Sequence, residues 1–406
     1  MFSERTNWRL ERNRYTEAIE KARARGAQLL DLTASNPTRV ELRYDSAAIL
    51  DSLGSERALD YDPQAKGLLS GRHAVAEYYA GLARGQRDVG SNVSTEDSGT
   101  RDKGIDPERI VLTASTSEGY SYVFRLLCNA GDEVLVPKPS YPLFEFLADL
   151  QDVKLVPYPL IYDHGWQMDF PSMEKAVTPR TRAVVIVHPN NPTGSYVKAG
   201  ELGPLNEFCR EHGLALVVDE VFLDYELDDA AHASFVWNRE VLTFTLSGLS
   251  KISALPQMKV AWVVTSGPEN EVEAAMGRLE VIADTYLSMN APVQWAIPAL
   301  LEQRHDIQKQ LLSRARNNLA ELDLRLAKQS ACQRLVVEGG WYAVLRVPVT
   351  RSDEELAIEL VDEKSVLVHP GHFYDFPRDG YVVLSLIGEE SEFMQGVERV
   401  LEWVNR

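Results

Sequence analysis

The sequence has few of the features that mark secreted, metal-binding or membrane-spanning proteins. Only three cysteines occur among its 406 residues, Cys128, Cys209 and Cys332, and they are scattered without the spacing of a metal site. Such cysteine usage is typical of a reducing compartment. The first residues contain no apolar core of a secretory signal, and no apolar run reaches membrane-spanning length. We therefore expect a cytoplasmic protein with no metal site and no membrane partner.

Positive charge is also scarce. The chain carries 42 Lys and Arg against 60 Asp and Glu, which gives a net charge of −18. An acidic surface repels phosphate backbones, and this argues against nucleic acid as a partner. The hydrophobic content of 45% is ordinary for a globular protein. The length is sufficient for a large domain and a smaller one.

The order of strand and helix patterns predicts an α/β fold. The two patterns alternate from about residue 110 to residue 264, as in a mainly parallel sheet wrapped by helices. Further on, helices dominate and shorter strands follow, which predicts a smaller α+β domain. We expect an N-terminal arm with a helix at residues 8–25, and a flexible excursion without a site at residues 85–104. The predicted bounds are 1–45 for the arm, 46–290 for the large domain and 291–406 for the small domain.

Three polar side chains follow successive apolar runs of the predicted sheet. Asn191 lies in the turn His188-Pro-Asn-Asn-Pro-Thr-Gly194, Asp219 ends the next run, and Lys251 follows a third. The carboxyl ends of parallel strands meet at one edge of a sheet, where ligands bind. An amide, a carboxylate and an amine suit a pyridine cofactor with a ring oxygen, a ring nitrogen and an aldehyde. Lys251 is the expected Schiff-base lysine and the base that moves the proton between carbons.

Each of the three also has an ordinary structural interpretation. An Asp after a strand is usually a turn or helix cap, and Asn-Pro-Thr-Gly forms turns without any ligand. The run Ser247-Gly-Leu-Ser-Lys251 is by itself most often a helix start. Their occurrence together and in this order favours the cofactor site.

A candidate phosphate site lies upstream. Ser115, Thr116 and Ser117 lead from a short strand into a helical pattern, and the N–H groups and hydroxyls of a helix N-terminus bind anions. An ordinary N-cap is the alternative for one of these residues. Tyr141, in the turn Pro-Ser-Tyr-Pro, is a candidate ring to stack on the pyridine face, and an exposed turn tyrosine is the ordinary interpretation of the same residue.

These motifs together resemble the fold-type I pyridoxal-phosphate enzymes, specifically the class I/II aminotransferases. The resemblance runs from Ser35-Asn-Pro-Thr38 to the last strand and helix, and it includes Glu338-Gly-Gly-Trp-Tyr342. The run Gly248-Leu-Ser-Lys251 is similar to some bacterial alanine aminotransferases. The resemblance implies pyridoxal 5'-phosphate as cofactor and further contacts from Ser247, Ser250 and Lys259, and Asn191 is expected to contact the substrate as well as the cofactor. It also implies that Tyr61 reaches the phosphate of the neighbouring subunit in a homodimer.

The chain departs from the family at three positions. Phe222 stands where the family usually has a tyrosine three residues after the aspartate, and Tyr225 lies three residues further on. We therefore expect a raised pKa of the Lys251–cofactor imine relative to relatives with the tyrosine. Lys259 replaces an arginine that in the family usually forms a bidentate contact with the phosphate. Val383 replaces the arginine that binds the substrate carboxylate.

Valine cannot donate a hydrogen bond to a carboxylate, so three interpretations stay open at this point. Another arginine takes over, with Arg39 the first candidate and Arg378 the second. Alternatively, the substrate lacks the α-carboxylate, or amino-acid turnover has been lost. A solvated loop charge is the ordinary interpretation of Arg39.

The function predicted from these residues is transfer of an amino group between an L-amino acid and a 2-oxo acid in two half-reactions. A pyridoxal-phosphate lyase is the enzymatic alternative, and a cofactor-binding regulatory protein is the alternative from another class. Residues 286–290 are further candidates for contacts with the partner subunit.

Overall fold

The structure is a computed structural model, and it describes residues 1–8, 10–88, 104–230 and 232–405. For residues 84–88 the structure describes the backbone but not the side chains. Most of the segment 85–104, for which the sequence predicts a flexible excursion, lies outside the described residues. No helix in the described part of the chain is both long and apolar enough to cross a membrane.

The centre of the fold is a mainly parallel sheet of eight strands in the order β2-β9-β8-β7-β6-β3-β4-β5. The five strands in the middle of this order, β8, β7, β6, β3 and β4, run parallel to one another. Strands β9 and β5 are antiparallel to their neighbours. The strands β2, β3, β6, β7, β8 and β9 are buried along most of their length and are rich in apolar residues, as expected for strands covered on both faces, whereas β4 and β5 at one edge are partly exposed. The strands are β2 Ile110–Thr113, β3 Glu133–Lys138, β4 Lys154–Tyr162, β5 Trp166–Met168, β6 Thr181–Val187, β7 Ala215–Asp219, β8 Thr243–Gly248 and β9 Ala261–Ser266.

Helices cover both faces of this sheet and continue into the C-terminal part of the chain. The apolar face of each helix packs on the strands or on other helices. They are α1 Arg14–Ala24, α2 Ser46–Ser52, α3 Leu69–Asp88, α4 Thr116–Leu127, α5 Phe144–Asp149, α6 Phe170–Ala176, α7 Ala199–His212, α8 Leu249–Ile252, α9 Glu269–Tyr286, α10 Ala291–Glu302, α11 Arg304–Leu326, α12 Asp353–Glu359 and α13 Glu390–Val404. A π-helical turn, Leu360–Lys364, follows α12.

A second, antiparallel sheet forms the small domain. Its strands are β10 Gln333–Arg334, β11 Tyr342–Arg346, β13 His369–Pro370 and β14 Tyr381–Ser385, in the order β10-β11-β14-β13. In the N-terminal arm, β1 Leu30–Asp31 pairs in parallel with β12 Val366–Leu367. The arm therefore lies against the small domain. The α/β class, the parallel sheet and the small α+β domain are confirmed, whereas the exact domain bounds stay a prediction.

Two helices differ from the sequence expectation at their ends. The arm helix begins at Arg14 instead of residue 8, because Asn13 caps it by accepting a hydrogen bond of 2.7 Å from the N–H of Thr16. Helix α3 continues to Asp88, so it includes the first residues of the segment predicted to be irregular.

Candidate active site

A cavity of about 470 Å³ lies at the carboxyl ends of the parallel strands, between the large sheet and the small domain. The strands β6, β7 and β8 end at the same edge because they are parallel. This edge brings together residues that are far apart in the sequence. The predicted site residues that line the cavity are Ser115, Thr116, Ser117, Tyr141, Asn191, Asp219, Ser250, Lys251 and Lys259.

The junction between β8 and α8 fixes the backbone position of Lys251, which lies on α8. A side chain on Gly248 would place its Cβ 2.7 Å from the carbonyl oxygen of Val260, so glycine alone permits this approach. The N–H of Leu249 donates to the same oxygen at 3.0 Å. The junction is thereby held next to the segment that carries Lys259.

Aromatic rings surround the amino group of Lys251. Its Nζ lies 5.4 Å from the ring centre of Phe222 and 4.8 Å from that of Trp341. Burial lowers the pKa of Lys251 to about 8, although the negative charge of Asp219 opposes the shift. The hydroxyl of Tyr225 is directed to the backbone oxygen of Lys251 and does not line the cavity. The neutral amine, which is the nucleophilic form, is therefore more accessible than in a solvated lysine.

Asp219 lies at the carboxyl end of β7 and faces the same cavity. The N–H of Val221 donates to its Oδ1 at 3.1 Å, and the hydroxyl of Tyr120 donates to its Oδ2 at 3.2 Å. Burial nevertheless raises the pKa of Asp219 to about 6. A cation bound beside it would favour the carboxylate again.

The turn that carries Asn191 is tied to the segment before β11. The carbonyl oxygen of Gly194 accepts hydrogen bonds from the N–H groups of Glu338 and Gly339, at 3.1 and 2.9 Å. Gly194 has φ +68°, and a Cβ there would lie 2.3 Å from a methyl carbon of Val337, so this close approach requires glycine. Asn191 is thereby placed at the cavity wall by contacts from both domains.

The helix N-terminus behind the cavity belongs to α4. Ser115 is its N-cap, and its hydroxyl accepts a hydrogen bond of 3.1 Å from the N–H of Glu118. The ordinary capping interpretation therefore holds for Ser115. The first-turn residues Thr116 and Ser117 line the cavity, and their N–H groups lie at the positive end of the helix.

These residues fit a pyridoxal-phosphate cofactor. The carboxamide oxygen of Asn191 is buried and has no hydrogen-bond partner among the described residues. Leaving such an atom unpaired costs free energy, and a half-turn of the carboxamide would present its NH2 group instead. Together with the carboxylate of Asp219, the amine of Lys251 and the helix N-terminus, it supplies a matching group for each polar part of the cofactor.

Four predicted residues lie outside the cavity lining. Ser247 is buried, and its hydroxyl donates to the carbonyl oxygen of Glu220 at 3.3 Å. Arg39 and Arg378 are exposed. Tyr61 is 84% exposed, and its expected role concerns a neighbouring subunit. The functional roles of these residues stay predictions.

Sequence reasoning missed the part of the cavity wall that comes from the arm and the small domain. This wall consists of Ser35, Tyr342, His369, Phe373 and Tyr374. Ser35 and Tyr342 belong to motifs that carried the family resemblance, so a signal for them was present. The other three lie in a segment without a motif, and only the packing of the small domain on the cavity identifies them. The Tyr120 contact with Asp219 was also missed.

Comparisons with known proteins agree with this geometry. The family described as aminotransferase class I and II matches residues 63–395. The chain is 28% identical to the glutamate-pyruvate aminotransferase AlaA of Escherichia coli (strain K12) over 87% of this chain and 84% of that protein. It is 26% identical to an alanine aminotransferase of Mycobacterium tuberculosis over 93% and 86% of the two chains.

Solved structures show the same fold. An alanine aminotransferase from Pyrococcus furiosus superposes with a TM-score of 0.85 at 21% identity, with all of both chains covered. An Escherichia coli aminotransferase superposes with a TM-score of 0.83 at 24% identity, covering 100% of this chain and 98% of that one. With a family match over most of its length, a fold-type I architecture and a cavity that presents the required groups, the chain belongs to the class I and II aminotransferases and is a pyridoxal-phosphate-dependent enzyme.

Proposed function

We propose that the enzyme moves an amino group between an L-amino acid and a 2-oxo acid, with Lys251 as the residue that binds the cofactor covalently and transfers the proton. The single observation that carries this assignment is the convergence of Asn191, Asp219 and Lys251 on one cavity. The names of the relatives make alanine, glutamate and their oxo acids the first substrates to test.

The side chains that line the cavity have separate roles in the reaction. Pyridoxal phosphate, when bound, supplies an electron sink for the bonding electrons at the substrate carbon. Asp219 would favour a proton on the ring nitrogen of the cofactor. Asn191 would donate its amide to the ring oxygen. Thr116, Ser117 and Lys259 would bind the phosphate, to which the helix N-terminus would add its partial positive charge.

Lys251 carries the proton. Its pKa of about 8 leaves a fraction of neutral amine near neutral pH, which serves as nucleophile and base. After it takes a proton from the substrate carbon, the nearby Phe222 and Trp341 rings stabilise the ammonium. The aromatic surroundings also limit the access of water to the transferred proton.

We further propose a cytoplasmic homodimer. Leu59, Tyr61, Tyr286 and Leu287 are large exposed apolar residues. Tyr61 and Leu287 line one groove of about 530 Å³. Exposed apolar surface of this kind favours association, and a partner there brings Tyr61 toward the second active site. The free thiols of all three cysteines agree with a reducing compartment.

The test is the visible absorbance of the cofactor-loaded protein before and after addition of single L-amino acids. Conversion to a pyridoxamine-type spectrum by an amino acid, reversed by a 2-oxo acid, is the expected result. A spectrum that no amino acid changes would contradict the proposed substrate class. A protein that does not become yellow with the cofactor would contradict the role of Lys251.

A further inference from the structure

The cavity offers few cationic groups for a carboxylate. Among the described residues that line it, the lysines are Lys251 and Lys259, and there is no arginine. Lys251 is the reacting amine, and Lys259 is assigned to the phosphate. A substrate carboxylate in this cavity therefore needs other hydrogen-bond donors, because an unpaired carboxylate in a dry site is strongly unfavourable.

The small-domain wall supplies polar donors. His369 lies on β13, and its backbone pairs with Val383 of β14. Val383 is fully buried in the aromatic cluster that includes Phe222 and Tyr342, both of which line the cavity. His369 thus lies in the sheet position next to the valine, on the strand that reaches the cavity.

The hydrogen bond between His369 and Tyr374 orients the imidazole. The hydroxyl oxygen of Tyr374 lies 2.6 Å from Nδ1 of His369. Burial raises the pKa of Tyr374 well above its usual range, so the phenol stays protonated. Its hydroxyl has no other acceptor among the described residues, and of the two neutral imidazole tautomers only the one with a bare Nδ1 accepts this proton. The remaining imidazole proton is then on Nε2, which has no hydrogen-bond partner in the described part of the chain.

The imidazole is uncharged in the resting protein. Burial lowers the pKa of His369 to about 4, although the charge of Asp31 opposes the shift. A neutral imidazole with its proton on Nε2 is a hydrogen-bond donor that costs less to desolvate than a free cation.

We propose that His369, oriented by Tyr374, binds the carboxylate of the amino-acid substrate through Nε2–H. The inference rests on the proposed function, because it requires an amino acid or oxo acid in the cavity. Tyr374 is a positioning residue, because its hydroxyl is hydrogen-bonded to Nδ1 of His369 and does not bind the substrate. The hydroxyl of Tyr342 lies on the same wall, where it interacts with Ser35, and it supplies a second donor for the carboxylate.

The arginine side chains near the cavity are less favourably placed to bind a substrate carboxylate. Arg39 and Arg378 are exposed and outside the cavity lining. Arg314 donates to the backbone oxygens of Val40 and Ile387, so its guanidinium is already engaged. His369 is therefore the best placed of the nitrogen donors outside the cofactor-binding set.

The test compares two reduced cofactor adducts that differ only in a carboxylate, N-(5'-phosphopyridoxyl)-L-alanine and N-(5'-phosphopyridoxyl)ethylamine. Their dissociation constants are measured by calorimetry with the cofactor-free protein. The variants are His369→Ala, His369→Gln and Tyr374→Phe, with Arg39→Ala as the competing assignment. His372→Ala is the matched control, because this neighbouring histidine is exposed and outside the cavity.

We expect the wild type and His372→Ala to prefer the alanine adduct by at least roughly tenfold. His369→Ala should bring this preference down by about tenfold, with the affinity for the ethylamine adduct unchanged. Tyr374→Phe and His369→Gln should give intermediate losses. The unchanged affinity for the ethylamine adduct also demonstrates that the variants are folded.

A wild-type preference that survives in His369→Ala, or that is lost only in Arg39→Ala, would overturn the role of His369 and leave the proposed function intact. Should His369→Ala be insoluble, an unchanged preference in both His369→Gln and Tyr374→Phe would overturn it equally. A wild type without any preference for the carboxylate would contradict both this inference and the amino-acid substrate class.

Discussion

The hydroxyl of Tyr225 donates a hydrogen bond of 2.6 Å to the backbone carbonyl oxygen of Lys251. This contact fixes the main chain of the lysine, while its side chain extends over the ring of Phe222 into the cavity. The two aromatic residues therefore have separate tasks. Tyr225 holds the backbone, and Phe222 determines the polarity around the amino group.

Phe222→Tyr should lower the pKa of the Lys251–cofactor imine, because a hydroxyl beside the cofactor oxygen stabilises the deprotonated form. We expect a downward shift of about one pH unit in a spectral titration. Tyr225→Phe is the matched control, since its hydroxyl contacts only the backbone oxygen and should leave this titration unchanged. Equal shifts in the two variants would contradict the separation of tasks.

Lys251→Ala should abolish transamination by more than about a thousandfold, because both the nucleophile and the base are removed. The variant should still bind the cofactor non-covalently, which fluorescence can measure. Lys259→Ala, by contrast, should retain covalent binding and weaken cofactor affinity. Significant turnover by Lys251→Ala would mean that another group transfers the proton.

Asp219→Asn should stabilise the cofactor-free protein at alkaline pH while it abolishes activity. The pKa of about 6 lies above the usual 3.8, so the folded protein binds this proton more tightly than the unfolded chain. The contribution of Asp219 to the free energy of unfolding is therefore complete below about pH 4 and is lost as the pH rises through 6. At pH 8 we expect the variant to be more stable by about 1–3 kcal/mol.

Denaturant unfolding between pH 4 and 8 measures this difference, which should shrink as the pH falls. Asp132→Asn is the control, and we expect it to change the free energy of unfolding in the opposite direction. The backbone N–H of Asn129 and the nearby Arg182 hold the pKa of Asp132 below its usual range, so its loss should destabilise the protein at neutral pH. If the difference in the free energy of unfolding between Asp219→Asn and the wild type is the same at every pH, burial does not raise the pKa of Asp219.

Leu287→Asp should weaken the proposed dimer, because a charge replaces an exposed apolar side chain in the groove beside Tyr61. Sedimentation at micromolar concentration should show a monomer with reduced activity. Leu324→Asp is the control, since Leu324 has a similar exposure, 58% against 65%, and lies on α11 outside that groove. Dissociation by both substitutions, or by neither, would argue against this interface.

The sequence predicted the large-domain side of the site better than the small-domain side. Asn191, Asp219 and Lys251 follow successive parallel strands, so chain order and sheet topology together are sufficient to place them. His369 and Tyr374 reach the cavity only because β13 pairs with β14 and the small domain packs against the large one. Such long-range packing leaves no periodic pattern in the sequence.

Side-chain hydrogen bonds were equally difficult to predict. Ser247 was expected to contact the cofactor because the family resemblance implies it. In the structure its hydroxyl donates to the carbonyl oxygen of Glu220, as buried polar groups take hydrogen-bond partners within the protein. A resemblance in sequence therefore does not determine the direction of a side chain, and the cofactor contact of Ser247 stays a prediction.

The shared carbonyl oxygen of Gly194 has a consequence for how this enzyme can evolve. Two successive N–H groups, from Glu338 and Gly339, donate to it, and a side chain at Gly194 would collide with Val337. The turn that holds Asn191 and the chain that enters the small sheet are therefore coupled through these contacts. We expect substitutions in the small sheet that adapt the enzyme to a new substrate to displace Asn191 as well, so that a change of specificity is accompanied by a change in cofactor affinity.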